Sequence, residues 1–451
     1  MKAFKAYDIR GVYGVDFDRD AVYRIGYFLP RLFGAKTIAV GRDARISSPE
    51  IAETLLQGIT DSGADVDFYD LTTTPFVYWI TARQGYETSV MITASHNPKN
   101  HNGLKISAKE AAPVGYDTGL NKLEHWVENE IPVPVATKGS VRDCGSMLKK
   151  EYLDFQRQYL GDLSGLKMVV DCSNGMANLF VKQLLPDSVI YLADDIDGTF
   201  PCHEPNPLEP ANIVALQQKV RETHADIGVI YDGDADRVMF VDENAQFVSP
   251  DLMIGLLATH FLKNDGSRPK VLQDIRTSKA VAELIDELGG EPCIWRVGRA
   301  YAAKKLHEID GLFGGELAGH YYFRDFYYSD SGIMASLLIL SIIAERHRNG
   351  ETFSQVMGKI ARYKNSGEIN FTIDKKAEAM EVVKNHFCDA EKPTRFLDFD
   401  GYRVEYPHWW FNIRPSNTEP YLRLILEADT DELLAQKTDE IKQLLNPFIC
   451  K

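Results

Sequence analysis

The sequence predicts three related α/β domains with mixed, mostly parallel sheets, followed by a C-terminal α+β domain. Its length of 451 residues exceeds what one compact core organises and favours three or four domains. A unit of apolar strand, Asp, polar turn with Ser and amphipathic helix recurs, beginning near Thr37, Lys167 and Lys270. Strands that alternate with helices predict parallel pairing through right-handed crossovers. The last segment has a different element order and therefore predicts a different kind of domain.

In the first domain, the pattern predicts a strand-like start that runs into a glycine-bounded loop carrying Arg10. The strands and helices predicted after it are a helix at about 20–33, a strand at 37–40, a helix at 48–63, a strand at 66–69 and a buried strand at 89–92. Ser-Pro at the start of the second helix is a typical first-turn signal. Residues 131–145 carry Pro, Gly and Ser and are predicted to lead out of this domain.

The predicted domains are 1–145, 146–248, 249–365 and 366–451. In the last of these, the strand INFTI is followed by a helix, three strands (GYRVEY, WWFNIRPS and LRLILEA) and a final helix at about 432–445. This order indicates an α+β domain rather than a doubly wound one.

Composition excludes several classes of protein. The chain is 44% hydrophobic and 25% charged, which is typical of soluble globular proteins, and its net charge of −15 disfavours nucleic-acid and anionic-membrane surfaces. The apolar segment at 333–343 is too short to span a bilayer and predicts a buried helix. The N-terminus lacks a signal-like apolar run, and the six cysteines form no C-x-x-C pair. We therefore expect a reducing, cytoplasmic location; the sequence leaves the oligomeric state open.

The stretch TASHNP, at 93–98, is the first candidate for chemistry. Ser95 follows the apolar strand at 89–92, and we expect it to be presented outward before a turn that ends at Pro98. His96 is adjacent and suited to proton transfer or phosphate contact. The alternative is a plain Ser/Thr turn that closes a strand.

The stretch DGDADR lies between two predicted strands, at 227–231 and 238–241. Asp232, Asp234 and Asp236 are separated by Gly and Ala alone, so their carboxylates can converge on a hard cation such as Mg²⁺ or Mn²⁺. Like charges so close together are costly without a cation. An EF-hand is a poor match, because Arg237 occupies the sixth position, which needs Gly, and the flanks are strands. A solvated acidic turn is the other alternative.

Two further loops carry polar groups suited to a phosphorylated sugar. GGELAGH, at 314–320, places Glu316 and His320 among glycines, and a carboxylate there could accept hydrogen bonds from paired sugar hydroxyls. RPSNTEP, at 414–420, gathers Arg, Ser, Asn and Thr donors without a competing acid before Glu419, which suits a phosphate. Arg423 could add a second guanidinium fork.

Taken in order, these four loops resemble the α-D-phosphohexomutase family, and within it the phosphomannomutase/phosphoglucomutase enzymes. YDIRG at 7–11 and NGLK at 102–105 also match, so the resemblance covers essentially the whole chain. It implies four domains around a central cleft: a phosphoserine domain (1–145), a metal-loop domain (146–248), a sugar-loop domain (249–365) and a C-terminal phosphate-binding domain (366–451). It also implies interconversion of hexose 1-phosphate and hexose 6-phosphate, of mannose and/or glucose, through an active-site phosphoserine and a hexose 1,6-bisphosphate intermediate.

The resemblance further implies a role for each matching residue. Ser95 would carry the phosphoryl group and bind one Mg²⁺ per chain together with Asp232, Asp234 and Asp236. The phosphoryl-transfer site would be lined by Arg10, His96, Lys105 and Arg237. The substrate would be bound by Tyr7, Arg276, Arg299, Glu316, His320, Arg414, Ser416, Asn417, Thr418 and Arg423.

This chain departs from the family pattern at three positions. Ala318 replaces a Ser of the sugar loop, and Arg276 and Arg299 stand where members carry Lys and His. Arginine stays protonated and is a poor general base. We therefore expect both arginines to stabilise charge, and His96 or Lys105 to carry protons.

Three alternatives stay open. The first is a phosphoglucosamine mutase, although the apolar Leu317 favours glucose and mannose substrates. The second is a phosphatase, in which water would take the phosphoryl group. The third is a non-catalytic sugar-phosphate-binding protein, which would need neither Ser95 nor the three aspartates.

Overall fold

A computed structural model describes residues 1–416 and 421–450 of the chain. Within these residues the strands form four sheets, one in each of three α/β units and one in a C-terminal unit. The predicted fold class is confirmed. Each of the three recurring sequence units forms a strand followed by a helix. These are β2 (Thr37–Arg42) and α2 (Ser48–Asp61), β7 (Met168–Asp171) and α6 (Asn178–Leu184), and β12 (Lys270–Asp274) and α9 (Lys279–Glu287).

The first unit has the strand order β1-β5-β4-β2-β3-β6. Its strands are β1 (Ile9–Val12), β2 (Thr37–Arg42), β3 (Asp65–Leu71), β4 (Thr88–Ile92), β5 (His101–Ala108) and β6 (Val141–Asp143). Its helices are α1 (Arg19–Phe33), α2 (Ser48–Asp61), α3 (Thr74–Gln84) and α4 (Leu120–Asn129). Strand β5 is antiparallel to both β4 and β1, which brings the loop after β4 beside β1. The predicted linker 131–145 contains the edge strand β6, which pairs in parallel with β3.

The second unit orders its strands β11-β10-β9-β7-β8. They are β7 (Met168–Asp171), β8 (Ile190–Leu192), β9 (Ile227–Tyr231), β10 (Val238–Asp242) and β11 (Phe247–Val248). The helices are α5 (Lys149–Arg157), α6 (Asn178–Leu184) and α7 (Val214–Thr223). Strands β9 and β10 pair antiparallel, and the acidic stretch forms the connection between them.

The third unit orders its strands β13-β12-β14-β15-β16. They are β12 (Lys270–Asp274), β13 (Glu291–Trp295), β14 (Phe313–Gly315), β15 (Tyr321–Phe323) and β16 (Ser329–Asp330). The helices are α8 (Leu252–Phe261), α9 (Lys279–Glu287), α10 (Arg299–Glu308), α11 (Gly332–Arg348) and α12 (Phe353–Gly358). Helix α11 is buried along most of its length, as predicted for 333–343.

The C-terminal unit is an antiparallel sheet with two helices, ordered β17-β22-β21-β20-β19, with β18 also paired to β22. Its strands are β17 (Lys364–Asn365), β18 (Ile369–Thr372), β19 (Arg395–Leu397), β20 (Tyr402–Glu405), β21 (Trp409–Pro415) and β22 (Tyr421–Ala428). The helices are α13 (Lys376–Ala390) and α14 (Asp431–Leu445). Short 3₁₀ turns lie at Lys109–Ala111, Tyr116–Thr118, Pro210–Ile213, Arg324–Phe326 and Asn446–Phe448.

One apolar cluster, which we call the junction core, contains residues of all three α/β units. At its centre the ring of Tyr152 of α5 packs against Trp79 of α3 and against Phe180 of α6, with centroids 5.4 and 4.9 Å apart, respectively. Helix α11 lies in the same cluster. The C-terminal unit has a core of its own, in which Phe387 and Trp409 meet. The three α/β units are therefore joined by shared apolar packing, and the C-terminal unit is not part of that packing.

Two predictions from the sequence, on membrane-spanning helices and on disulfide bonds, can be compared with this fold. Among the described residues every helix is too short or too polar to cross a lipid bilayer. The six cysteines all fall in the described ranges, and none of them forms a disulfide there. The absence of a disulfide agrees with the scattered spacing of the cysteines.

Candidate active site

The serine loop leaves β4 and turns at Ser95, whose φ is 51°. Its backbone N–H donates to Thr93 Oγ1 at 2.9 Å, and its Oγ donates to Asp232 Oδ2 at 2.6 Å. The expectation that Ser95 is presented outward is wrong, because its exposed fraction is 0%. The acidic loop of the second unit covers it: a Cβ added to Gly233 would lie 2.6 Å from the Ser95 carbonyl oxygen. Ser95 therefore faces a closed junction between two units.

A fully buried arginine, Arg45, supports this loop from behind. It follows β2 in the first of the recurring units and ion-pairs with Asp43. Its guanidinium donates to the backbone carbonyls of Ser95, Asn97, Pro98 and His101, at 2.6–3.1 Å. Carbonyls that converge in this way normally need a cation, so Arg45 fixes the conformation in which the serine is held.

The acidic loop brings Asp232, Asp234 and Asp236 together, as the sequence predicted. One carboxylate oxygen from each lies within 4.8 Å of the others, and all three residues are fully buried. Ala235 adopts a left-handed φ of 64°, which turns the loop so that alternate side chains converge. Burial, together with the two neighbouring carboxylates, raises the pKa of Asp232 well above its ordinary value. The cluster is a place where positive charge is strongly favoured.

Lys105, from β5, supplies positive charge to this loop. Its Nζ donates to Asp234 Oδ2 at 2.6 Å and to Asp236 Oδ2 at 2.5 Å. Burial opposes the charged ammonium, yet the two carboxylates raise the pKa of Lys105 above its ordinary value. Burial likewise opposes ionisation of Asp236, but Lys105 lowers the pKa of that carboxyl. The expected cost of uncompensated acidic charge is thus offset in part by a residue of the chain itself.

Two arginines flank the serine and the aspartates. Arg10 lies on β1, not in the predicted loop, and its Nη1 donates to Asn97 Oδ1 at 2.8 Å. Arg237 follows the acidic loop, with its Nε 3.9 Å from Asp232 Oδ2 and 4.0 Å from Asp236 Oδ1. Both guanidinium groups therefore border the serine–aspartate centre, which we define as Ser95, Asp232, Asp234 and Asp236.

His96 is the imidazole next to the serine. Its Nδ1 lies 3.4 Å from Ser95 Oγ. Burial, and then the cations Arg237, Arg10 and Lys105, lower the pKa of His96 well below its ordinary value. The imidazole is therefore neutral at neutral pH and able to accept a proton, whereas Lys105 is protonated.

Glu316, from the predicted sugar loop, is buried beside the third sheet. Its Oε1 accepts a hydrogen bond from the Tyr322 hydroxyl at 2.7 Å, and its Oε2 accepts the Gly298 N–H at 3.3 Å. Burial raises the pKa of Glu316. Gly314 and Gly315 belong to β14, so the loop proper begins at Glu316.

His320, from the same loop, accepts the Glu316 backbone N–H at its carbonyl and also pairs with Arg237 of the acidic loop. Its Nδ1 is 2.6 Å from Asp330 Oδ2 and 3.9 Å from Asp236 Oδ1. Arg299 donates from Nε to the other oxygen of Asp330 at 2.8 Å and stacks over the Tyr78 ring at 3.8 Å. Burial would raise the pKa of Asp330, but the Arg299 guanidinium and the hydrogen bond to His320 lower it. Asp330 thus joins two predicted substrate residues to the serine–aspartate centre.

The predicted phosphate residues Arg414 and Arg423 are direct neighbours on β21 and β22. Arg414 is 3.2 Å from Asp400 Oδ1, and Arg423 Nη1 donates to Glu368 Oε1 at 2.7 Å. The sequence indicated no competing acid in the turn before Glu419, but the fold places Asp400 and Glu368 beside these arginines. Ser416 donates its N–H to the carbonyl of residue 421; Asn417 and Thr418 lie outside the described residues.

Arg276 of the third unit lies close to Arg423 of the C-terminal unit, because both contact Glu368. Its Nη2 donates to Asp274 Oδ2 at 2.7 Å, and its Nη1 lies 3.6 Å from Glu368 Oε2. Burial disfavours the charge of Arg276, but Asp274 raises its pKa, so it stays a cation. We call Arg276, Arg414 and Arg423 the arginine cluster.

Tyr7 of the first unit reaches this cluster. Its hydroxyl donates to the Val297 carbonyl at 3.4 Å, and its ring meets Tyr301 edge to face at 5.5 Å. Burial raises the pKa of Tyr7 to about 12, with Asp400 and Arg414 near enough to contribute. The first, third and C-terminal units therefore meet at one side of the site.

The C-terminal unit meets the third unit through polar groups at the loop that carries Arg276 and through a ring contact between Phe399 and Trp295 at 5.5 Å. Buried Arg403 stacks over Trp410 at 3.7 Å and donates to the carbonyls of Ile275 and Thr277, on either side of Arg276. Glu427 Oε2 accepts hydrogen bonds from Trp410, Ser278 and Lys279.

Sequence reasoning missed several residues of this site. Arg45 had a local signal, since it lies in the polar turn of a recurring strand–helix unit. Asp330, Asp400 and Glu368 had none, because each is distant in sequence from the arginines that it contacts.

Comparison with known proteins agrees with this arrangement. Models of phosphoglucomutase/phosphomannomutase match the chain in order: alpha/beta/alpha domain I at residues 1–132, domain II at 150–245, domain III at 249–363 and the C-terminal domain at 368–444. Phosphomannomutase of Methanocaldococcus jannaschii is 34% identical over 99% of this chain and 98% of its own length. A protein of Xanthomonas campestris described as phosphohexose mutases is 36% identical over 99% of both chains.

Among solved structures, a phosphoglucomutase/phosphomannomutase family protein from Burkholderia thailandensis superposes with a TM-score of 0.86. It is 28% identical, and the match covers 99% of this chain and 97% of the other. The chain belongs to the phosphoglucomutase/phosphomannomutase family. It is accordingly an enzyme of the isomerase class, with phosphohexomutase activity.

Proposed function

We propose that the enzyme interconverts hexose 1-phosphate and hexose 6-phosphate, of mannose and/or glucose, through a phosphoserine at Ser95 and a hexose 1,6-bisphosphate intermediate. The observation that carries this proposal is the 2.6 Å contact between Ser95 Oγ and Asp232, inside a buried group of three aspartates. A hydroxyl held against clustered carboxylates is poorly explained as a simple turn. It is well explained as a phosphoryl carrier beside a cation site.

The three aspartates fit a divalent cation. Asp234 Oδ1 and Asp236 Oδ1 are buried and have no hydrogen-bond partner among the described residues. Such oxygens are the hard ligands that Mg²⁺ prefers. We propose one Mg²⁺ per chain, held by Asp232, Asp234, Asp236 and the phosphoryl group of Ser95. When bound, Mg²⁺ offsets negative charge on the phosphoryl group and orients it.

The residues around Ser95 would position the transferring group. In the first half-reaction a sugar hydroxyl oxygen attacks the phosphorus; its new P–O bond forms while the P–Oγ bond to Ser95 breaks. The hydroxyl proton leaves the sugar, and Ser95 Oγ is released as an alkoxide that takes up a proton. Arg10, Lys105 and Arg237 would stabilise the phosphoryl oxygens, and neutral His96 would accept or return the proton.

The other residues would bind the part of the substrate that does not react. Glu316 has the carboxylate and Gly-bounded approach that paired hydroxyls need, and His320 would contact the sugar where it meets the acidic loop. Tyr7 and Arg299 would line the sugar path. The non-reacting phosphate would be held by Arg276, Arg414, Ser416, Asn417, Thr418 and Arg423. Guanidinium groups recognise phosphate through paired N–H donors.

One transfer site and one distal phosphate site serve both half-reactions if the bisphosphate turns around between them. Hexose 1,6-bisphosphate would therefore also act as activator, because it can phosphorylate Ser95. The names of the relatives favour mannose and hexose phosphates as substrates. Because its cysteines are scattered and form no disulfide among the described residues, we place the enzyme in the cytoplasm.

The test is incubation with glucose 1,6-bisphosphate and Mg²⁺, followed by peptide mass spectrometry. We expect one phosphoryl group on the Ser95 peptide, and none in a Ser95→Ala control. Rates on mannose 1-phosphate, glucose 1-phosphate and glucosamine 1-phosphate, measured side by side, would then define the sugar. Turnover without any phosphorylated Ser95 would refute the proposal.

A further inference from the structure

The arginine cluster is paired with carboxylates of the chain itself. Arg276 faces Asp274, Arg414 faces Asp400 and Arg423 faces Glu368, as described above. Glu368 contacts two of the arginines: Oε1 accepts from Arg423 at 2.7 Å, and Oε2 is 3.6 Å from Arg276. It thus links a cation of the C-terminal unit to a cation of the third unit.

These pairs conflict with the binding of a phosphate dianion. Three guanidinium groups and three carboxylates bring no net positive charge to the cluster. A phosphate that enters places two further negative charges beside the carboxylates, and like charges brought together oppose binding. At least one carboxylate must give up its arginine for the phosphate to be held well.

Two of the three carboxylates are fixed by other bonds. Asp274 is fully buried and accepts the backbone N–H groups of Arg276 and Leu317 at 2.7 and 2.8 Å. Asp400 accepts the Val297 N–H at 2.8 Å. Moving either of them would leave buried donors without an acceptor.

Glu368 differs from Asp274 and Asp400 in its exposure to water and in its hydrogen bonds. Its side chain is 22% exposed, against 0% for Asp274 and 8% for Asp400. The hydrogen bond that its carboxylate accepts among the described residues comes from a side chain, that of Arg423. Glu368 also follows Gly367, whose φ is +66°. Water can therefore solvate Glu368 when it leaves the arginines, and a glycine beside it eases rotation of the segment.

We propose that Glu368 is a displaceable counter-ion, which occupies Arg423 and Arg276 until the non-reacting phosphate takes its place. This inference rests on the proposed function, since it assigns the distal phosphate to the arginine cluster. Glu368 lowers the affinity for sugar phosphate and speeds its release. A mutase needs that release, because its bisphosphate must leave the distal site in order to turn around.

The test compares Glu368→Gln and Glu368→Ala with the wild type and with Glu378→Gln. Glu378 is the matched control, because it forms an exposed pair with Lys375 in the same unit, at 3.2 Å. Titration calorimetry with mannose 1-phosphate should give a Kd roughly three- to tenfold lower for both Glu368 variants, and unchanged for the control. In steady state, KM should fall and kcat should not rise.

The outcomes separate the two proposals. If the wild type binds mannose 1-phosphate and both Glu368 variants bind it equally well or more weakly, Glu368 is a structural ion pair and this inference is wrong. If the wild type binds neither mannose 1-phosphate nor glucose 1-phosphate, the proposed function fails and the inference falls with it. Damage to the fold would weaken binding, so a gain in affinity has no merely structural explanation.

Discussion

The serine–aspartate centre and the arginine cluster are held in different ways. The centre lies where the first and second units meet, and these units share the junction core with the third. The arginine cluster lies between the third unit and the C-terminal unit, which has a separate core and contacts its neighbour through Arg403, Asp400 and Glu427. Separating apolar side chains exposes them to water at a large cost in free energy, whereas water can replace the hydrogen bonds of a polar contact.

This difference indicates that the two regions have different functions. Under the proposed function, the residues for phosphoryl transfer are positioned before substrate binds, and the C-terminal side adjusts to the substrate. Substitutions in the centre should therefore lower kcat, and substitutions in the cluster should raise KM. The following predictions test this contrast, beginning with the largest expected effect.

Ser95→Ala should lower turnover by more than about a thousandfold, because the phosphoryl acceptor is lost. The alanine fits the buried space, so the thermal midpoint should change little. Turnover of glucose 1-phosphate and thermal unfolding followed by circular dichroism would check both points. Near-wild-type turnover would remove Ser95 from the mechanism.

Removal of metal should abolish activity, and Mg²⁺ should restore it. Asp234→Asn neutralises one ligand and should weaken Mg²⁺ activation by roughly ten- to a hundredfold. Activity measured against free Mg²⁺, after treatment with EDTA, gives both results. Full turnover by the chelated protein would mean that Lys105 alone suffices to neutralise the loop.

Arg45→Lys and Arg414→Ala form a matched pair across the two regions. Lysine cannot reach four carbonyls with one ammonium, so the serine loop should shift and kcat should fall by about a hundredfold at unchanged KM. Arg414→Ala removes a phosphate contact and should raise KM by about tenfold with a smaller change in kcat. Steady-state kinetics would decide, and the reverse assignment of kcat and KM effects would break the comparison.

The smallest effect concerns protonation. If the centre is closed before substrate binds, the pKa of His96 stays low, and its NMR resonance should not shift through about pH 6.5. His203 is an internal reference, because its contact with Asp171, at 3.1 Å, outweighs burial and raises its pKa. It should lose its proton above that pH. A His96 titration at the ordinary value would indicate that water enters the centre.

The parts that the sequence predicted are those with local causes. Asp232, Asp234 and Asp236 converge because they alternate within one short loop, and the recurring strand–helix units follow from patterns within about twenty residues. The burial of Ser95 was missed because its cover comes from another unit. Asp400 and Glu368 were missed because the arginines that they contact, Arg414 and Arg423, lie 14 and 55 residues away, which a local pattern does not record.

The junction core also determines where the chain can be divided. A fragment that stops after the first unit would leave Trp79 without Tyr152 and Phe180, and one that stops after the second unit would leave the junction core without helix α11. A cut near residue 366 separates polar contacts and one aromatic contact, between Trp295 and Phe399. We expect residues 1–365 to be expressed as a folded protein and residues 1–248 to aggregate, which size-exclusion chromatography would show. In genetic terms, we expect recombination to keep the three α/β units together as one block and to exchange the C-terminal unit more readily.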